Sequence, residues 1–243
     1  MNPPSSSTPK IYTVLITNEA YLPGLFTLEY SLRKHGSRYP LVALYTDTVP
    51  ASAHQAIDRR GIPKQRIEYL LPTKGRDYSN DPRFYDCWSK LTPFSLTQYS
   101  RVVQLDADML VRHNIDDLMT LPLDDPAVSS DPANASRSTR VFAAGHACSL
   151  LSDLFRGRWV PLPYVYNALK TLRWPGVHDA IWRDDHVRVV HYILAPKPWD
   201  EQDPDGRWKG PANPDDEVTH RWWAEYDAER RAAERERGIQ DGF

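Results

Sequence analysis

Two aspartates one residue apart, Asp106 and Asp108, end the apolar run Val102 to Leu105, and carboxylates so placed are natural ligands of a hard divalent cation. At a strand end, residues i and i+2 point to the same side, so both carboxylates can face one ion while Ala107 between them leaves room for a ligand. The spacing by itself decides little, because a second Asp-x-Asp stands at Asp203 and Asp205 in a polar loop. Context separates the two copies. Only the first follows a strand pattern, and ligand crevices of open α/β sheets lie at the carboxyl ends of strands. The plainer reading of Asp106 and Asp108 is a solvated turn closing a strand. His191, at the end of the alternating run that starts at Val187, is a packed core histidine or a third ligand. In the second case one imidazole and two carboxylates suit Mn²⁺, which takes mixed nitrogen and oxygen donors more readily than Mg²⁺. Six residues further on, Lys197 precedes Pro198 and Trp199. It can meet a phosphate as a point charge or lie on the surface, with Trp199 a core anchor.

The elements around these residues alternate. Residues 11–16, 41–45 and 67–70 read as strands, and residues 21–35 and 51–60 as helices. Gly36 stops the first of these helices. A helix over 88–98 then feeds residues 102–105, which are expected to form an inner strand. Such alternation predicts βαβ units, a mostly parallel sheet and a single Rossmann-like α/β domain. From 124 to 148 the composition turns to Asp, Pro, Ser, Ala and Arg with weak periodicity, an irregular stretch long enough to count against a compact assignment. Order resumes with a short helix at 150–155 and a strand at 187–193. The segment 215–237 is strongly helical, with Val218, Trp222 and Tyr226 four residues apart, and its Ala/Glu/Arg-rich last turns read as a solvated helix. The expected division is a leader at 1–9, one domain at 10–212 and a helical tail at 213–243.

Composition removes several classes. In 243 residues, 30 basic and 32 acidic side chains give a formal net charge of −2, so no electrostatic footprint favours nucleic acid or an anionic membrane. Recognition must come from a local site. Cys87 and Cys148 make no disulfide framework, and residues 1–8 have neither the basic start nor the apolar core of a secretory signal. A cytoplasmic location is the expectation, with no membrane partner, since no apolar run approaches the roughly 18 residues that span a bilayer. There is no G-x-G-x-x-G after the first strand and no phosphate-binding P-loop, and no G-x-S-x-G elbow marks a serine hydrolase.

The motifs from Val14 to Gly24, Tyr30 to Gly36, Trp88 to Leu91, Val102 to Asp108, Asn114 to Leu118 and His191 to Trp199 occur in one order across most of residues 10–200. In this the chain resembles the glycosyltransferases of family 8, the group containing glycogenin and galactinol synthase, and especially their fungal glycogenin-like members. The resemblance implies a GT-A fold and transfer of a hexose from a UDP-sugar, such as UDP-glucose or UDP-galactose, with retention at the anomeric carbon. The acceptor would be a sugar, a polyol or a protein, and homo-oligomerisation is left open. Carried over by motif position, Asp106, Asp108 and His191 are metal ligands, with Mn²⁺ the expected ion and Mg²⁺ the alternative. Leu15, Thr17, Asn18 and Tyr21 would hold the uridine, Tyr21 by stacking on uracil. Ala107 would lie against the ribose, Lys90 would serve the sugar-diphosphate and Lys197 the diphosphate. Read from the residues alone, Leu15 and Tyr21 are core packing and Thr17 and Asn18 helix caps. The chain departs from the family twice. An Asn-x-Gly motif and an Asp-Gln pair that the family carries after the Asp-x-Asp strand are absent, and Leu194 replaces the family's glycine between the histidine and the lysine. The departures make a UDP-binding homologue with impaired transfer the alternative to an active enzyme.

Overall fold

The computed structural model describes residues 8–72, 77, 85, 88–123, 142–145, 151, 155, 156, 158–203 and 205–243. Most of the irregular 124–149 stretch, most of the expected 150–155 helix, the leader up to residue 7, Cys87 and Cys148 lie outside the described residues.

Four parallel strands form the main sheet in the order β3-β2-β1-β4: β1 Lys10–Ile16, β2 Leu41–Tyr45, β3 Lys64–Arg66 and β4 Arg101–Leu105. Val14 of β1 pairs with Ala43 on one side and Leu105 on the other, so the strand that begins the fold runs through its centre. Successive side chains of β1 serve opposite faces. Tyr12, Val14 and Ile16 join the core beneath α1 (Leu22–Lys34) and α2 (Ala51–Arg59), whereas Ile11 packs with Val42, Leu44, Ile67 and Leu96 on the other face. α1 starts with Pro23 in its first turn and ends at Gly36, whose φ of 70° lets the Ser37 amide turn back to the Leu32 carbonyl at 3.0 Å.

A second sheet, β5-β9-β8, supports the far side of the site. In it β5 (Met109–Val111) runs antiparallel to β9 (Val189–His191), which pairs in parallel with β8 (Ala168–Leu169). The pair β6 (Phe142–Ala144) and β7 (Trp159–Pro161) is parallel. The long α3 (Glu217–Glu236) packs against α1.

Four expectations shift. The third strand lies at 64–66, not 67–70, because a polar edge strand satisfies the sheet with one paired side; Ile67 only sends its amide to the Tyr45 carbonyl at 2.9 Å. The helix expected over 88–98 is a 3-10 helix, Trp88–Ser95, since Pro93 inside it removes an N–H and crowds the preceding turn. Among the described residues β4 pairs only with β1, so it is an edge strand, and Val102 and Val103 are half-buried. The last turns of α3 are not a solvated helix. Asp227, Arg230 and Glu234 are buried in a charge network that reaches Arg60 and Asp241. Arg60 makes paired hydrogen bonds of 2.8–3.0 Å to both Glu234 and Asp241 and lies 3.8 Å above the Phe26 ring. No described helix is long and apolar enough to cross a membrane.

Candidate functional site

The turn between β4 and β5 holds Asp106, Ala107 and Asp108. Because β5 pairs antiparallel with β9, Met109 lies opposite His191, and the Tyr192 amide closes the pair by donating to the Asp108 carbonyl at 2.8 Å. Ligand-type atoms of Asp106, Asp108 and His191 consequently lie within 4.8 Å of one another. His191 Nε2 is 3.6 Å from Asp106 Oδ2 and 3.3 Å from Asp108 Oδ1. Donors each about 2.1 Å from a cation and at right angles stand about 3 Å apart, so the two imidazole–carboxylate separations are close to those of neighbouring ligands of a Mg²⁺- or Mn²⁺-sized ion.

The imidazole is oriented for that role. His191 Nδ1 lies 2.8 Å from Asn167 Oδ1, an acceptor that holds the proton on Nδ1 and leaves the Nε2 lone pair facing the carboxylates. Asn167 carries no sequence signal: it follows a Pro- and aromatic-rich run, and only the pairing of β8 with β9 brings it beside His191.

Each aspartate turns its other oxygen to a lysine. Lys90 Nζ is 2.5 Å from Asp106 Oδ1, and Lys197 Nζ is 2.5 Å from Asp108 Oδ2 and 2.6 Å from the Tyr192 carbonyl. Lys197 is thus buried, not a surface lysine. Burial alone would raise the Asp108 carboxyl, but the hydrogen bond and charge that His191 supplies when Nε2 carries a proton instead of a cation, followed by the charge of Lys197, hold it well below the usual carboxylate range. Both carboxylates stand beside cationic or hydrogen-bond-donating groups, the electrostatic setting of a site for a cation and an anionic ligand together.

The other sequence-derived positions flank this group. Since Val14 pairs with Leu105, the residues after β1 stand at the same sheet edge as Asp106. Leu15 is half-buried and packs with the Ile11, Val42 and Leu44 cluster. Thr17 and Asn18 form a bend, where Asn18 Oδ1 accepts from the Ala20 amide at 3.1 Å and the Thr17 carbonyl accepts from Thr48 Oγ1 at 2.7 Å. Tyr21 meets Trp199 edge to face at 5.8 Å, and Trp199 continues to the buried Trp223 at 5.6 Å. Ala107 is buried under α1, and its carbonyl oxygen would lie 2.3 Å from a Cβ added at Gly24. Gly24 therefore sets how closely the helix approaches the aspartate turn, a constraint that the motif alone does not reveal. Leu194 has φ 65° and an exposed side chain; it is the one non-glycine with positive φ among the described residues. The chance copy is a turn instead: Asp203 Oδ1 accepts from the amides of Asp205 and Arg207 at 2.9 and 2.8 Å.

The profile of glycosyl transferase family 8 matches residues 12–148, from β1 through the aspartate turn. The chain belongs to this family. It is 35% identical to galactinol synthase 1 of Solanum lycopersicum over 77% of its own length and 72% of that protein. To the glycogenin of Neurospora crassa it is 25% identical over 89% of its length, yet it spans 35% of that protein. Among solved structures it is similar to the glycosyltransferase GlyE of Streptococcus pneumoniae, with TM-score 0.55, 16% identity and coverage of 90% of this chain and 60% of that one. The galactosyltransferase LgtC, solved with donor and acceptor sugar analogues, gives TM-score 0.53 at 14% identity, covering 90% of this chain and 96% of that one. The fold is GT-A.

Proposed function

We propose that this family 8 glycosyltransferase moves a hexose from a UDP-sugar to a sugar, polyol or protein acceptor, with retention at the anomeric carbon and with Mn²⁺ or Mg²⁺ held by Asp106, Asp108 and His191. The observation that carries the reading is the convergence of two carboxylates and a tautomer-fixed imidazole, each carboxylate also held by a lysine. When bound, the cation would neutralise charge on the departing diphosphate. Lys197 and Lys90 bring ammonium groups to the same place, where they can stabilise negative charge as the bond between the anomeric carbon and the UDP oxygen breaks. Thr17, Asn18 and Tyr21, which follow β1, would hold the uridine together with Leu15, and Ala107 would lie against the ribose. The half-buried Trp199 backs Tyr21 edge to face. A cytoplasmic location fits this reading.

Incubation with UDP-glucose or UDP-galactose and Mn²⁺ is expected to release UDP, and metal removal by chelation to stop the release. No UDP from either donor, with or without candidate acceptors, would overturn the transferase reading. A second reading, a UDP-binding relative without transfer, is favoured by the absence of the Asn-x-Gly motif and the Asp-Gln pair, the segments expected to carry the sugar-contacting polar residues. Thermal stabilisation by UDP with Mn²⁺, but no turnover of any UDP-sugar, distinguishes it.

A further inference from the structure

Four ionisable side chains are buried together behind the site, away from the metal ligands: Lys170, Glu201, Asp216 and His220, none more than 6% exposed. They come from three separate segments. Lys170 directly follows β8, Glu201 closes the 3-10 turn Pro198–Glu201 that follows Lys197, and Asp216 and His220 belong to the start of α3. Lys170 Nζ donates to Asp216 Oδ2 at 2.8 Å, lies 3.0 Å from His220 Nε2 and reaches the Pro196 carbonyl at 3.5 Å. His220 Nδ1 lies 2.7 Å from Glu201 Oε2. The Tyr192 ring meets the imidazole edge to face at 5.6 Å, and its hydroxyl donates to the Thr219 carbonyl at 2.8 Å.

This arrangement dictates one protonation state. An ammonium has no lone pair, so His220 Nε2 must accept from Lys170; a carboxylate is an acceptor, so Nδ1 must carry the proton toward Glu201. The imidazole is therefore neutral. We propose that His220 is a positioning residue for Lys197: by accepting from Lys170 and donating to Glu201 in its neutral form, it seats the 192–201 segment so that the Lys197 ammonium stands at Asp108. The segment is gripped on both sides of Lys197, at Pro196 by Lys170 and at Glu201 by His220.

Protonation undoes this. A proton arriving at Nε2 from solvent removes the acceptor, sets a second positive charge against Lys170 at 3.0 Å, and gives Nε2 a donor facing Asp216 Oδ2, 3.6 Å away, in competition with the lysine. Lys170, Glu201, Asp216 and Tyr192 are the titratable groups that face the ring from the elements packed around it. Burial pushes the His220 imidazole below its ordinary value, the hydrogen bond to Glu201 opposes this, and the Lys170 charge adds to it.

The inference rests on the reading of Lys197 as a diphosphate ligand, and the experiment separates the two. UDP affinity is measured by calorimetry at saturating Mn²⁺ from pH 8 to pH 5.5, for the full chain and for His220→Gln, which keeps an acceptor for Lys170 but takes up no proton. Any loss that does not involve residue 220 is common to both chains. The native chain is expected to lose about fivefold more affinity over this interval than the variant, within the tenfold per pH unit that one coupled proton allows. Equal losses overturn the proposal. Imidazole and amide ¹⁵N NMR of the native chain tests it without UDP or the variant: His220 is expected to carry its neutral-form proton on Nδ1, and the Lys197 amide to shift with the His220 midpoint. A proton on Nε2, or a Lys197 amide that ignores the His220 titration, overturns it. If UDP binds at no pH, the site reading fails, while the NMR result still decides what His220 does.

Discussion

A metal-binding imidazole needs a lone pair at one nitrogen, and Asn167 leaves His191 with one at Nε2. Asp106→Asn, Asp108→Asn and His191→Ala are each expected to cost more in Mn²⁺-dependent UDP affinity than Asn167→Ala, for which loss of the orienting hydrogen bond predicts about 10- to 100-fold. Calorimetry ranks the four variants, and unchanged affinity in all three ligand variants would remove the metal assignment. Asp203→Asn is the control, since that carboxylate only closes a turn. Leu194 makes a separate prediction. A side chain in the left-handed region costs about 1–2 kcal/mol, partly offset in a glycine variant by its freer unfolded chain. Leu194→Gly is therefore expected to raise unfolding free energy in urea by about 1 kcal/mol, an outcome that a loss of stability would contradict.

At the scale of elements, the site depends on how closely α1 lies on the β4–β5 turn. A methyl group at Gly24 would meet the Ala107 carbonyl oxygen at 2.3 Å and the Trp199 ring at 2.8 Å, and a backbone oxygen cannot swing aside as a flexible side chain can. Gly24→Ala is expected to destabilise by about 1–3 kcal/mol, the range for overpacking. Because the helix must back away from the aspartate turn, UDP affinity should fall with it. Melting and calorimetry on the same sample test the coupling, and a variant losing stability but not affinity would separate helix from site. The antiparallel pairing of β5 with β9 is the other determinant, since a one-residue slip would turn His191 to the opposite face.

For the whole molecule, α3 is fastened by buried charge as much as by apolar surface. Asp227 is fully buried, accepts from Thr27 at 3.0 Å, Gln202 at 2.8 Å and Arg231 at 2.7 Å, and partners Arg230, itself 1% exposed. Asp227→Ala strands a buried guanidinium and is expected to cost about 3–5 kcal/mol. Burial raises the Asp227 carboxyl, but the Arg230 and Arg231 charges and the Gln202 hydrogen bond outweigh it and leave the group lowered. A carboxyl lowered by folding adds stability above its unfolded value of about 3.9 and loses it as pH falls through the folded value. His220, also lowered, adds stability above about pH 6.5 and loses it as pH falls below that. Urea unfolding across pH is thus expected to show a first decline below about 6.5 and a second below about 4. A native chain as stable at pH 5 as at pH 8 would contradict the His220 contribution.

The α/β alternation, β1, β2, α1, α2 and the body of α3 were legible because each rests on local periodicity and stop signals such as Gly36. Asp106, Asp108 and His191 were legible as candidates because their residue types at strand ends admit few chemistries, and Lys197 because a lysine closely follows His191 ahead of a proline. Other features depended on partners distant in sequence. Nothing local distinguishes a 3-10 helix at 88–95 from an α-helix except Pro93, or tells that β4 is an edge among the described residues. The Ala/Glu/Arg face of α3 has the composition of a solvated surface, and it is buried because Arg60 and Asp241 arrive from elsewhere to neutralise it. Asn167, Gly24 and the Lys170–His220–Glu201 group acquire meaning only once the second sheet and α3 lie against the first. Periodicity and residue type act within a few residues and are written in the chain, whereas a hydrogen bond or ion pair between residues 24 to 174 apart exists only after folding has brought its two ends together.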